Sequence, residues 1–271
     1  MQFSTFAGQL SEWLGAIAAS WLFSLSPRLQ KPEIGFKYAR RDGITALMLS
    51  ALLLALSYVL YTITPFALPQ IALPANVQNS GSLEIPHPAP GPNLNLMQAL
   101  LAAVLALATI GIALAVRKQP VKSAGWPRDL FMPALQMGFA LAILTIFLRN
   151  RVMDVLTGLN PAELNILLLA LGISLAEETV FRGYIQLRLS WWFRALWGPP
   201  GQWAGIGLTA LIFTLWHVPA WLNQEPVETS LALGGLTFVQ GLVLGWIASK
   251  SKHVIAPALY RSASIWMNFL G

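Results

Sequence analysis

The sequence predicts an all-α protein, a polytopic transmembrane helix bundle of seven or eight spans with an amphipathic N-terminal helix. Three observations carry that expectation. Hydrophobic residues make up 56% of the 271-residue chain and charged residues only 10%, where soluble domains carry roughly 25%. Uncharged runs of about 20 residues, enough to cross a hydrocarbon core of about 30 Å, recur along most of the chain. Lysine and arginine gather in alternate loops, the pattern that orients a multi-pass protein.

The elements follow in order. Leu10, Trp13, Leu14, Ile17, Trp21, Leu22 and Leu25 recur at three- and four-residue spacing, after Phe3 and Phe6, with Gln9 and Glu12 between them. That is an amphipathic pattern, expected to lie in the membrane interface. The basic run Arg28, Lys31, Lys37, Arg40 and Arg41 comes next, so 1–43 reads as an amphipathic and basic N-terminal segment and 44–271 as the transmembrane domain. Spans are expected at 44–66, 96–116, 130–148, 164–186, 203–222, 229–249 and 254–270. The proline-rich loop 67–94 has no lysine or arginine and belongs outside, whereas Lys118, Arg194 and Lys250 belong inside. Arg149 and Arg151 are the exceptions to that rule.

Composition also excludes several chemistries. Without cysteine there is no disulfide framework, thiolate nucleophile or thiolate metal site. The net charge of +6 is accounted for by basic membrane-flanking loops, so the lipid bilayer, not nucleic acid, is the expected partner of an integral, multi-pass membrane protein. Of three histidines, His87 and His253 fall at loop positions and are expected to be solvated, while His217 lies inside a span.

Charged side chains in a span are costly and mark functional candidates. Within the expected spans these are Glu177, Glu178, Arg182 and Arg261. In an α-helix Glu178 and Arg182 are four apart and share a face, so they can neutralise each other. Glu177 points about 100° away and is left for other work. Phe213 precedes His217 by four residues and is expected to hold its ring, and Pro219 should kink the helix beside it. A carboxylate and a histidine from consecutive spans can act as general base and oxyanion partner. They could also be two ligands of a divalent metal such as zinc, but a catalytic zinc usually takes three protein ligands and no third histidine is placed for it. A site without metal or other cofactor is therefore expected. Counting 1.5 Å per residue from the expected span ends leaves Glu177 and His217 about 10 Å apart in depth.

The order Glu177-Glu178-x-x-x-Arg182, Phe213-x-x-x-His217 and the glycine-rich run Phe238 to Trp246 resembles the CAAX protease and bacteriocin-processing (CPBP) family over about 130–271. The resemblance implies an intramembrane endopeptidase whose substrate is a membrane-associated peptide or protein, prenylated ones among them. It gives Glu177 the water-activating role and His217 the assisting one, with Glu178, Arg182 and Phe213 in support. The chain departs from the family pattern in the last motif. Arg261 and Ile265 stand where a His-x-x-x-Asn pair belongs, which opens the alternative of a catalytically weakened membrane scaffold. A buried guanidinium needs an acceptor, so Arg261 is expected to contact Glu177.

Overall fold

The computed structural model describes residues 3–30, 35–63, 96–222 and 226–268, which form helices and turns with no strand among them. The long elements are α1 (Phe3–Ser24), α2 (Ala39–Ile63), α3 (Leu96–Val116) and α4 (Phe131–Leu148). After the short α5 (Val152–Leu156) come α6 (Pro161–Glu178), α7 (Leu187–Trp197), α8 (Gly201–Leu222), α9 (Val227–Ser251) and α10 (Ile255–Trp266). The expected outer loop 67–94, with His87, and residues 223–225 of the turn before α9 lie outside the described residues.

Between α6 and α7 the helix does not break. Thr179–Gln186 winds as a π-helix that joins them into one rod. The candidate span Glu163–Trp197 is 35 residues long, about 52 Å at α-helical rise. It therefore exceeds the membrane core, and the aromatic and basic end at Trp191, Arg194 and Trp197 overshoots to the headgroup level. The start is fixed locally. Asn160 accepts from the Glu163 amide at 2.9 Å, Glu163 accepts from the Asn160 amide at 3.0 Å, and Pro161 occupies the first turn, where no amide donor is needed. At the other end Gly198 adopts φ 70°, a left-handed conformation that glycine accepts without a Cβ penalty, and Pro199-Pro200 prevents continuation.

Packing surrounds this rod. One apolar cluster joins α2, α3, the π segment and α8 through Leu53, Ala106, Phe181, Tyr184 and Trp216. A second joins α1, α4, α9 and α10 through Trp13, Met137, Leu141, Leu244 and Tyr260. Outward-facing Ile112, Phe139, Ile143 and Leu168 stay exposed, as a lipid-facing surface requires. Six helices among the described residues are long and apolar enough to cross a membrane. The seventh expected span, 254–270, is instead the 12-residue α10, about 18 Å long. It is buried between α4 and α6, and its outer end is tied by a bond from Trp266 Nε1 to the Glu163 carbonyl at 3.0 Å.

The N-terminal helix departs from its expected place in the interface. It stands along the groove between α4 and α9. Gln9, Glu12 and Ser20 are buried against the bundle, while Leu10, Leu14, Trp21 and Leu22 face outward. Glu12 pairs with Arg149 at the end of α4, and Trp246 Nε1 donates to the Ile17 carbonyl at 3.2 Å. A carboxylate in the groove explains how Arg149 is accommodated at that end of the bundle. At the opposite, basic end, Asp42 accepts from Arg117, and the fully buried Arg188 donates to the Ser123 carbonyl at 2.9 Å. The first bond joins the start of α2 to the residue after α3, and the second ties α7 to the loop that follows α3.

His253 is not solvated, contrary to the expectation from its loop position. It is 2% exposed, its ring lies edge-on to Trp126 and Phe131, and its Nδ1 accepts from the Ile255 amide at 3.0 Å, capping the start of α10. Burial pushes this imidazole down from 6.5 to about 4. Protonation would also replace the accepting lone pair with a donor aimed at an amide. The folded state keeps His253 neutral where the unfolded chain takes up a proton, so stability is complete above pH about 6.5 and lost as the pH falls towards 4. In detergent, the melting temperature of the wild type should therefore drop more steeply across that window than that of His253→Gln. Parallel curves would remove His253 from the acid response.

Candidate functional site

The site forms where the π segment begins. Glu177 and Glu178 end α6, Arg182 lies one turn into the π segment, Phe213, Trp216 and His217 come from α8, and Arg261 comes from α10. Helix register brings them to one depth. A Cβ at Gly201 would collide with the Phe193 backbone, so the start of α8 abuts α7 at Phe193. Glu177 lies sixteen residues before Phe193 and His217 sixteen after Gly201, and the two antiparallel runs arrive level. The expected 10 Å gap in depth is absent, because helix ends here do not mark the membrane boundary. His217 Nε2 stands 3.7 Å from Glu177 Oε2.

The two adjacent acids separate as α-helical geometry requires. Glu178 Oε2 lies 3.4 Å from Arg182 Nε, and Arg182 Nη2 donates to the Gly241 carbonyl of α9 at 3.3 Å. Glu177 turns to the other side. Its Oε1 accepts from Trp216 Nε1 at 3.3 Å, and its Oε2 pairs directly with Arg261 Nη1. The same Arg261 nitrogen is 3.6 Å from Glu178 Oε1, so Arg261 bridges both acids. Two carboxylates and two guanidiniums thus balance inside an apolar bundle, where an unpaired ion would be several kcal/mol unfavourable.

Phe213 does more than hold the histidine. The guanidinium carbons of Arg182 and Arg261 lie 4.6 and 4.8 Å from its ring centroid, and the His217 ring lies 4.7 Å away. Phe181 meets it edge-on at 5.2 Å. The negative faces of one aromatic ring therefore help place both cations. His217 Nδ1 is 2.8 Å from the Phe213 carbonyl. With that nitrogen donating, the neutral ring turns its Nε2 lone pair to the space beside Glu177.

Some members were not evident in the sequence. Trp216 is adjacent to His217 and so about 100° around the helix from it, yet its long indole reaches Glu177. Ser57 Oγ, from α2, donates to the Trp216 carbonyl at 2.6 Å and ties this turn of α8 to a distant segment. The π winding itself has no composition signal, although such segments often occur at functional sites. Ile265 has no polar neighbour role. It packs with Ile166, Ala170 and Trp266, one helical turn beyond Arg261.

Arg261 lies against the same Glu177 carboxylate oxygen that faces the imidazole. No group of three or more His, Asp or Glu residues that could hold a metal gathers among the described residues.

Because Arg182 and Glu178 are completely buried at their side chains, Glu178→Gln should destabilise the protein by about 3 to 5 kcal/mol, the cost of leaving a buried partner uncompensated. Adding Arg182→Met should recover a large part of that loss. Denaturation of the single and double variants in detergent checks the coupling, and additive losses would refute it.

No curated protein and no solved structure matches the chain. A family model does match, over residues 160–267, and that range contains both acids, both arginines, Phe213, Trp216, His217 and the Gly241 carbonyl. The stretch that builds the charge cluster is therefore similar to the family described as type II CAAX prenyl endopeptidase Rce1-like.

Proposed function

We propose that the chain is an intramembrane endopeptidase in which Glu177 acts as general base on a water. The observation that carries this reading is the convergence of Glu177 and His217, from two antiparallel helices, to 3.7 Å, with the imidazole held between the rings of Phe213 and Trp221. In the proposed reaction Glu177 takes a proton as the water oxygen attacks the peptide carbonyl carbon. The Arg261 cation faces the oxygen that gains charge, and the His217 Nε2 lone pair accepts a hydrogen bond from the attacking water. The carbon–nitrogen bond then breaks and the proton passes to the leaving amine. The substrate would be a membrane-associated peptide or protein, prenylated ones among them, in line with the family.

The direct Arg261 to Glu177 pair favours a second reading, a weakened member that serves as a membrane scaffold. The guanidinium occupies a carboxylate lone pair that would otherwise accept the proton of the water. The two readings differ in turnover. Purified full-length protein and Glu177→Ala should be compared on prenylated and unprenylated CAAX-type peptides and on membrane peptides. A working general base predicts a loss of about 10² to 10⁴-fold in the variant, and equal rates would overturn the hydrolytic role of this site. Replacing Arg261 by His together with Ile265 by Asn should raise the rate. A chain inactive both before and after that change would be a scaffold.

A further inference from the structure

The basic end of the bundle carries a hollow that the charge cluster does not use. It is framed by the end of α1 and the turn after it, the start of α8 and the end of α9, and has a volume of about 470 Å³. Lys250 and Lys252 line it, and no aspartate or glutamate does. Its position is set by backbone. Lys252 adopts φ 54° and donates its amide to the Ala248 carbonyl at 2.8 Å, so the chain turns back at the end of α9 and both lysines stay at the rim.

The wall is aromatic. Lys250 Nζ lies 4.2 Å from the Trp246 ring centroid, and Trp246 stacks on Trp203 at 5.3 Å with the planes 13° apart. Trp203 remains 58% exposed, beside the end of α1 where Trp21 and Leu25 also face outward. Gln202 presents its amide oxygen to Arg194, which leaves the amide N–H groups as donors to the hollow. A narrower crevice lined by Leu187, Trp191, Ala248 and Val254 shares Gln202 and Lys252 with the hollow and leads inward to Arg182. No acid lines this crevice either.

Two lysines, a glutamine amide and indoles at the membrane boundary match the chemistry of a phosphate diester that carries acyl chains. We propose that this hollow binds an anionic phospholipid of the inner leaflet. Its phosphate lies against Lys250, Lys252 and the Gln202 amide, and its acyl chains lie against the exposed sides of Trp203, Trp21 and Leu25. The site is independent of peptide hydrolysis, so its test does not depend on turnover.

The test uses full-length protein in mild detergent with equal amounts of dioleoyl phosphatidylglycerol and dioleoyl phosphatidylcholine, and retained lipid is counted by native mass spectrometry. Phosphatidylglycerol should be retained in preference. Each of Lys250→Glu, Lys252→Glu and the milder Lys252→Met should weaken retention by about fivefold or more, the share of one basic residue at a membrane surface. Lys122→Glu makes the same change of net charge on an exposed loop away from the hollow and should leave the preference intact. Equal retention of the two lipids, or equal loss in the Lys122 and Lys252 variants, would overturn the proposal. Displacement of the lipid by millimolar inorganic phosphate would assign the hollow to a free anion, and displacement by a short peptide acid would assign it to peptide. Either result would also overturn it.

Discussion

Everything in this bundle depends on placing two carboxylates and two guanidiniums together where water is scarce. None of the four can be left alone. Glu178 is served by Arg182, Glu177 by Arg261 and Trp216, and Arg261 spans both acids. The surrounding helices are arranged accordingly. α10 is short and buried because its one charged residue must reach the centre, and α9 comes close enough for the Gly241 carbonyl to accept from Arg182. The π segment begins immediately after the two acids, so the winding changes where the charges are held.

Close backbone approach makes this possible. A Cβ at Gly183 would collide with the Ala124 carbonyl, which fixes the π segment against the loop before α4. Small residues at helix crossings let backbones approach where the membrane provides no hydrophobic drive between helices. Gln186, a turn beyond Arg182, donates to the Gly245 carbonyl at 2.9 Å and repeats one turn inward the contact that Arg182 makes with Gly241. Two polar side chains on one rod thus hold two successive turns of α9.

Much of this was legible in the residues. Four-residue spacing gave the pairing of Glu178 with Arg182, and the need of a buried guanidinium for an acceptor gave the contact of Arg261 with Glu177. Depth was not legible, because the rod continues past the expected span end at 186, through the aromatic and basic run, to Trp197. His253 was misread for a related reason. A loop position suggests solvent, but the loop folds under Trp126 and Phe131, and only tertiary packing shows that. The reversed N-terminal helix was hidden in the same way, since a stripe of polar residues reads alike whether it meets water or a protein groove.

The docking of α1 has a consequence for assembly in the cell. Its buried carboxylate, Glu12, pairs with the cation of Arg149, and the groove it occupies is closed on the other side by α9, whose Trp246 holds the Ile17 carbonyl. Both partners are made long after α1 leaves the ribosome. α1 is therefore among the last helices to settle, and until α9 is inserted its polar stripe must wait at the bilayer surface or in the care of the insertion machinery.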